Sequence, residues 1–183
     1  MNDWWFALDS ALDKKQINDI KDMYVNPHKG KVGFGDERQV DFIRKSSIVG
    51  FGYNTPGWGD LYKILTPLVN LANRECFGFD ISGISEFQIA KYKTSEYYKE
   101  HMDCKLRGVP TTRKLSITVQ LTDPKEYEGG DFIFGKDIPQ LPRETKNLGS
   151  LIVFPSFLYH QITPVTKGER LSLVGWYEGN QWK

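Results

Sequence analysis

Apolar positions recur at helical spacing near the start of the chain. Leu8, Leu12, Ile17, Ile20 and Tyr24 follow one another at three- to five-residue intervals, which predicts an amphipathic helix over Leu8 to Tyr24 with Asp9 or Ser10 as N-cap. The stretch from Asn26 to Gln39 is polar and carries Gly30, Gly33 and Gly35, the composition of a movable loop. Ser47 to Tyr53 is a short apolar run and reads as a strand. A second helix is expected from Trp58 to about Glu75. Leu61, Ile64, Leu65, Leu68, Val69 and Ala72 share one of its faces, and Pro67 is a candidate bend.

From Ile81 the texture changes to short β-rich runs between turn signals. Ile84 to Tyr92, Lys114 to Leu121, Asp131 to Phe134 after the Gly129-Gly130 turn, Ser150 to Phe154, His160 to Pro164 and Arg170 to Tyr177 read as strands. Gly135 to Gly149 reads as a long polar connection. Helices first and strands later, without β-α-β alternation, argue against a doubly wound sheet. The expected architecture is mainly β with supporting α: a sandwich or jelly roll buttressed by N-terminal helices.

Length makes this one domain spanning residues 1–183, with about 1–80 as the helical support and about 81–183 as the β core. With 24 Lys and Arg against 23 Asp and Glu, the net charge is +1. Nonspecific nucleic-acid binding therefore has no electrostatic footprint, and no nucleic-acid partner is expected. No apolar run is long enough for a membrane span, and the N-terminus lacks the marks of a secretory signal. Cys76 and Cys104 are expected as free thiols in a reducing cytoplasm.

There are three histidines, His28, His101 and His160. In an extended segment His101 and Asp103 point to the same side, so an imidazole and a carboxylate can converge on a divalent metal. By itself such a tripeptide reads first as a surface pair sharing water. His160, directly after an apolar strand, is the candidate third ligand. Two histidines and one carboxylate make the facial triad of non-haem Fe(II) oxygenases. Arg170 opens the last strand, ten residues after His160. Buried there it needs an anion, because an unpaired guanidinium is costly to desolvate. A dicarboxylate would supply one bidentately, and a protein carboxylate at the rim is the other candidate. Ser172 shares the Arg170 face.

The segments FQIAKYKTSEYYKEHMD, RKLSITVQLTDPKEYEGGDFIF and GSLIVFPSFLYHQITPVTKGERLSLVGWY resemble the Fe(II)- and 2-oxoglutarate-dependent dioxygenases. The likeness is to the prolyl 4-hydroxylase-like group in its bacterial and phage form, over about Ile84 to Tyr177. The resemblance implies a double-stranded β-helix core with His101, Asp103 and His160 on Fe(II). It also implies Arg170 on the distal carboxylate of 2-oxoglutarate, Tyr92 near that carboxylate, and Tyr98 at the metal pocket bordering substrate. Core packing is the alternative for both tyrosines. Gln120 stands where some relatives carry a cosubstrate-contacting aromatic residue, and Trp176 reads as core.

The implied reaction consumes O2 and 2-oxoglutarate, releases succinate and CO2, and hydroxylates an unactivated C–H bond. The family default is a prolyl residue of a peptide or protein, with a small molecule as the other class of substrate and ascorbate as a possible reductant. The implied location is the cytoplasm of a bacterium or of a phage host. The Lys29–Gln39 and Cys104–Thr112 segments are candidate lids. Lys105, Arg107 and Arg113 form a basic cluster, with Arg113 a candidate substrate contact. Competing readings are a non-catalytic cupin-like jelly roll and an oxygenase of alkylated nucleic acid. The latter usually carries a second arginine where Trp176 stands.

Overall fold

The computed structural model describes residues 4–30, 42–104 and 112–182. Twelve strands and two α-helices are placed among them: β1 (Phe6–Leu8), α1 (Lys14–Asp22), β2 (His28–Lys29), β3 (Arg44–Lys45), β4 (Ser47–Phe51), α2 (Trp58–Ala72), β5 (Gly83–Lys93), β6 (Tyr97–His101), β7 (Arg113–Gln120), β8 (Tyr127–Gly129), β9 (Phe132–Phe134), β10 (Leu151–Pro155), β11 (His160–Ile162) and β12 (Val165–Glu178).

The first helix begins later than its apolar spacing predicts. Asp13 caps it. The Asp13 carboxylate accepts from the Gln16 backbone N–H at 2.8 Å, and the Gln16 side chain accepts from the Asp13 N–H at 3.0 Å. Leu8 belongs instead to β1, where it pairs with Leu151. Helix α2 buries Leu61, Leu65, Val69 and Ala72 along one stripe, and Pro67 sits inside it without ending it. A π-helical turn, Asn73–Phe77, continues α2, and Gly78 stops it at φ 64°, a left-handed conformation that suits glycine.

The strands form two antiparallel sheets. The larger runs β1-β10-β7-β12-β5-β4-β2, with β8 also on β12, and the smaller runs β3-β6-β11-β9. The region expected to be helical support therefore contributes β1 at one edge of the large sheet, β4 and β2 at the other, and β3 to the small sheet. Strand β4 is the one expected from the apolar run Ser47 to Tyr53, whereas β1, β2 and β3, with two or three residues each, are too short to show a period-two pattern and escape a reading of the sequence.

Both faces of the large sheet are buried, and they differ in chemistry. Leu115, Ile117, Val119, Leu151, Val153, Leu173 and Tyr177 pack with Phe87 and Ile89 against Ile17 and Ile20 of α1 and the buried stripe of α2. Each such side chain contributes about 1.5–3 kcal/mol by leaving water. The alternate positions face the small sheet, and many are polar: Ser116, Thr118, Gln120, Arg170 and Ser172 are all buried. A buried polar floor is unfavourable unless it is satisfied or serves a ligand.

Candidate active site

The minor sheet brings the two histidines together. His101 ends β6, His160 begins β11, and the two are paired across the ladder. Asp103 lies two residues beyond His101, where its backbone N–H donates to the Ser156 carbonyl at 3.0 Å. One potential ligand atom from each of His101, Asp103 and His160 lies within 4.8 Å of the others. His101 Nε2 is 3.6 Å from Asp103 Oδ1, and His160 Nε2 is 3.5 Å from Asp103 Oδ2. His28 is exposed on β2, away from the group.

The tautomers follow from the second ring nitrogens. His101 Nδ1 is 2.8 Å from the Lys99 carbonyl and His160 Nδ1 is 2.9 Å from the Leu158 carbonyl. A carbonyl only accepts, so each Nδ1 carries the proton and each Nε2 lone pair is left for the shared centre. Burial pushes the His160 ring down to about 4 against the pull of Asp103, so the ring is neutral and ligand-ready at ordinary pH. Burial alone would raise the Asp103 carboxyl. Neighbouring His160 and His101, with hydrogen bonds from His101 and Ser116, outweigh it and hold Asp103 well below the usual carboxylate range. The Ser116 hydroxyl donates to Asp103 Oδ2 at 2.7 Å and contacts the Ser156 hydroxyl at 2.9 Å.

Arg170 is fully buried. Its Nη1 donates to Ser172 Oγ at 3.2 Å, while Nε and Nη2 have no partner among the described residues. Tyr92 is its neighbour across the β5–β12 ladder, with the guanidinium carbon 5.9 Å from the ring centroid. Among the described residues no carboxylate pairs with Arg170. Gly130 (φ 59°) makes room for it: a Cβ there would lie 3.1 Å from Arg170 Cδ and 2.9 Å from Val165 Cγ2. Gln120, opposite Ser172, is also buried, and its Oε1 has no partner among the described residues.

A pocket of about 440 Å³ of empty space is lined by the triad together with Arg44, Tyr92, Tyr98, Thr118, Phe132 and Trp176, among others. Tyr98 stacks on His101 with ring centroids 3.5 Å apart. Burial raises its hydroxyl pKa well above the usual phenol range, only partly offset by Arg44. Phe132 stacks against His160 at 5.4 Å. Arg113 lies over the Trp176 ring at 4.1 Å and 3.6 Å from Glu86. Trp176 is thus pocket wall as well as core, which burial alone does not reveal on a strand covered on both faces. Ser116, Arg44 and Gly130 were also missed by sequence reasoning. The signal for Ser116 was present in the alternation of Ser116, Thr118 and Gln120 with Leu115, Ile117 and Val119.

Cys104 is buried beside the triad without joining it, and neither it nor Cys76 forms a disulfide among the described residues. Most of both candidate lids, and Lys105 and Arg107 of the basic cluster, lie outside the described residues. A set of two imidazoles and one carboxylate suits Fe(II). The orphaned N–H groups of Arg170 suit a carboxylate. The residues present fit iron with 2-oxoglutarate.

Comparison with known proteins agrees. A profile described as the 2OG-Fe(II) oxygenase superfamily matches residues 87–178. A PKHD-type hydroxylase of Alteromonas mediterranea is 33% identical over 93 residues, which cover 48% of this chain and 41% of that protein. One of Gloeothece citriformis is 37% identical over 97 residues, covering 52% and 43%. The matched stretch spans only about two fifths of the length of these curated relatives. A Pseudomonas putida prolyl-4-hydroxylase superposes with a TM-score of 0.71 at 19% identity over 95% of this chain and 91% of its own. A viral collagen prolyl hydroxylase from Paramecium bursaria Chlorella virus-1 gives 0.71 at 17% identity over 96% of each. A prolyl hydroxylase from Trichoplax adhaerens, in complex with a hypoxia inducible factor peptide fragment, gives 0.69 at 18% identity over 96% and 84%. The fold is the double-stranded β-helix expected from the sequence. With the profile covering half of the chain, this protein belongs to the 2OG-Fe(II) oxygenase superfamily.

Proposed function

We propose that this chain is an Fe(II)- and 2-oxoglutarate-dependent dioxygenase that hydroxylates an unactivated C–H bond of a prolyl residue in a peptide or protein. The observation that carries this reading is a pocket lined by the His101–Asp103–His160 triad together with Tyr92 and Ser172, with the fully buried Arg170 bonded to Ser172 and without a counter-charge among the described residues. The names of the structural neighbours, one of them holding a peptide, support the prolyl substrate. A cupin-like binding module would account for the triad but not for Arg170.

In this reading His101, Asp103 and His160 hold the iron, and Arg170, helped by Tyr92 and Ser172, pairs with the distal carboxylate of 2-oxoglutarate. Bound iron and 2-oxoglutarate supply the oxidative decarboxylation that makes O2 a hydroxylating agent, with succinate and CO2 as products. The protein's own residues do the positioning. The Lys99 and Leu158 carbonyls set both imidazoles, Ser116 fixes the carboxylate, and Phe132, Tyr98 and Trp176 wall the pocket against water. Tyr98 and Arg113 border the substrate. The whole chain acts as one catalytic domain in the cytoplasm, without nucleic-acid or membrane partners. No helix among the described residues is long and apolar enough to cross a membrane.

The test is anaerobic loading with Fe(II) and 2-oxoglutarate. A visible charge-transfer band is expected, followed by succinate release when air is admitted and a mass gain of one oxygen on a proline-containing peptide. Folded protein that shows neither band nor succinate would sink the proposal.

A further inference from the structure

The pocket holds a second buried cation that neither iron nor cosubstrate explains. Arg44 is 5% exposed and lines the pocket. Its Nε donates to Ser46 Oγ at 2.8 Å, and Nη1 and Nη2 both reach Gln88 Oε1 only at 3.4 Å. Its guanidinium lies 4.7 Å over the Tyr98 ring, the ring that stacks on His101. All of these partners are neutral. Glu86 joins this network through Gln88, whose Nε2 donates to it at 3.4 Å, and is itself 3.6 Å from Arg113. Among the described residues no carboxylate pairs with Arg44.

The charges of the loaded pocket can be counted. Asp103 is spent on the metal, Glu86 on Arg113, and Arg170 on the far carboxylate of 2-oxoglutarate. The two charges of Fe(II) and the two of 2-oxoglutarate offset each other. Arg44 is left over. A buried guanidinium held only by neutral acceptors is costly, and a bidentate anion removes that cost. The position is also built rather than accidental. Gly30 lies so close that a Cβ on it would come within 2.8 Å of Arg44 Nε, and its N–H donates to the Ser46 carbonyl at 2.8 Å, closing the backbone over the arginine stem.

We infer that Arg44 is a specificity-determining residue that receives a carboxylate of the substrate, so that the group hydroxylated is carried by an acidic molecule or segment. This rests on the oxygenase reading. It narrows the substrate class from any prolyl residue to one whose own carboxylate, or that of an adjacent acidic side chain, reaches Arg44. Tyr98 then lies between the anion and the metal side of the pocket.

The experiment loads the full chain with Mn(II) and 2-oxoglutarate, which avoids turnover, and measures binding calorimetrically for matched probes. One set pairs the free amino acids with their carboxamides. The other pairs proline-containing hexapeptides bearing Asp or Glu with the same peptides bearing Asn or Gln. Acids are expected to bind about ten- to a hundredfold tighter than their amides. Arg44→Gln should abolish that preference and Arg44→Lys should keep part of it. A preference confined to free acids identifies a small-molecule substrate, and one confined to peptides identifies an acidic side chain. Both outcomes support the inference. Equal affinity for acids and amides, no binding by any probe, or a preference that survives Arg44→Gln would overturn it. Should Arg44→Gln not fold, the wild-type acid-to-amide ratio and its reduction in Arg44→Lys decide. Wild-type protein that takes up no 2-oxoglutarate at all overturns the oxygenase reading with it, and that result is visible before any probe is added.

Discussion

Replacing Arg170 by methionine separates a ligand-binding arginine from a structural one. Methionine keeps most of the apolar stem that packs against Gly130 and Val165 and deletes the guanidinium. In the protein without ligand, that guanidinium has one neutral hydrogen bond, to Ser172, and two nitrogens without partners. Its removal should leave stability unchanged or raise it, by up to about 4 kcal/mol as in other replacements of buried charges by apolar groups. The bound state responds oppositely. Two charge-assisted hydrogen bonds to a carboxylate, at about 1.5–3 kcal/mol each, amount to roughly 3–6 kcal/mol. At about 1.4 kcal/mol per decade, that is a loss of roughly a hundredfold or much more in 2-oxoglutarate affinity. Thermal unfolding reads both effects. With 2-oxoglutarate at about a hundred times its dissociation constant, wild type gains about 2.7 kcal/mol. For a chain of 183 residues this is a rise of roughly 5–11 °C. Arg170→Met should show almost none of this rise at the same concentration, while still binding metal. A variant that melts well below wild type without ligand, yet keeps the ligand-induced rise, would refute the reasoning and make Arg170 structural.

Other expectations test the surroundings of the triad. Ser116→Ala removes a hydrogen bond to Asp103 and should weaken metal binding by about 10–100-fold, the usual effect of removing a group that orients a ligand; titration with a metal-sensitive dye measures it. Gly130→Ala places a Cβ at positive φ against Arg170, so it should weaken 2-oxoglutarate binding more than metal binding and lower the melting temperature. Acid should destabilise the metal-free protein in a defined direction. The folded His160 pKa of about 4 lies below its unfolded value, so the unfolded chain binds the extra proton between about 6.5 and 4, and stability falls as pH falls through that window. The depressed Asp103 acts in the same sense at lower pH. Urea midpoints across pH should show this fall, and His160→Gln should flatten it.

The site was more legible in the sequence than the way the chain frames it. His101 and Asp103 are two residues apart on an extended segment, so local geometry alone brings them together, and His160 marks itself by following an apolar strand. Arg170 announced itself by the cost of burying a guanidinium. Arg44 could not be read in this way. It sits in a two-residue strand whose pairing with Tyr98 is purely tertiary, and nothing local distinguishes it from a surface arginine. The first helix was over-extended because Leu8 and Leu12 fit its spacing. Leu8 is instead held by pairing with a strand more than 140 residues away, and Leu12 by a backbone hydrogen bond to Gly149. Trp176 was assigned to the core because aromatic residues on strands usually belong there.

Strand β12 runs through the middle of the larger sheet, and its alternating side chains belong to two unrelated environments. Leu171, Leu173 and Tyr177 meet the helical layer, while Arg170, Ser172, Val174 and Trp176 face the pocket or its polar floor. Neighbouring codons in this short stretch therefore answer to different selective pressures. On this reading, change at Arg170 or Ser172 alters the hold on the cosubstrate, change at Val174 or Trp176 reshapes the pocket wall, and change at the other parity disturbs the packing against the helices.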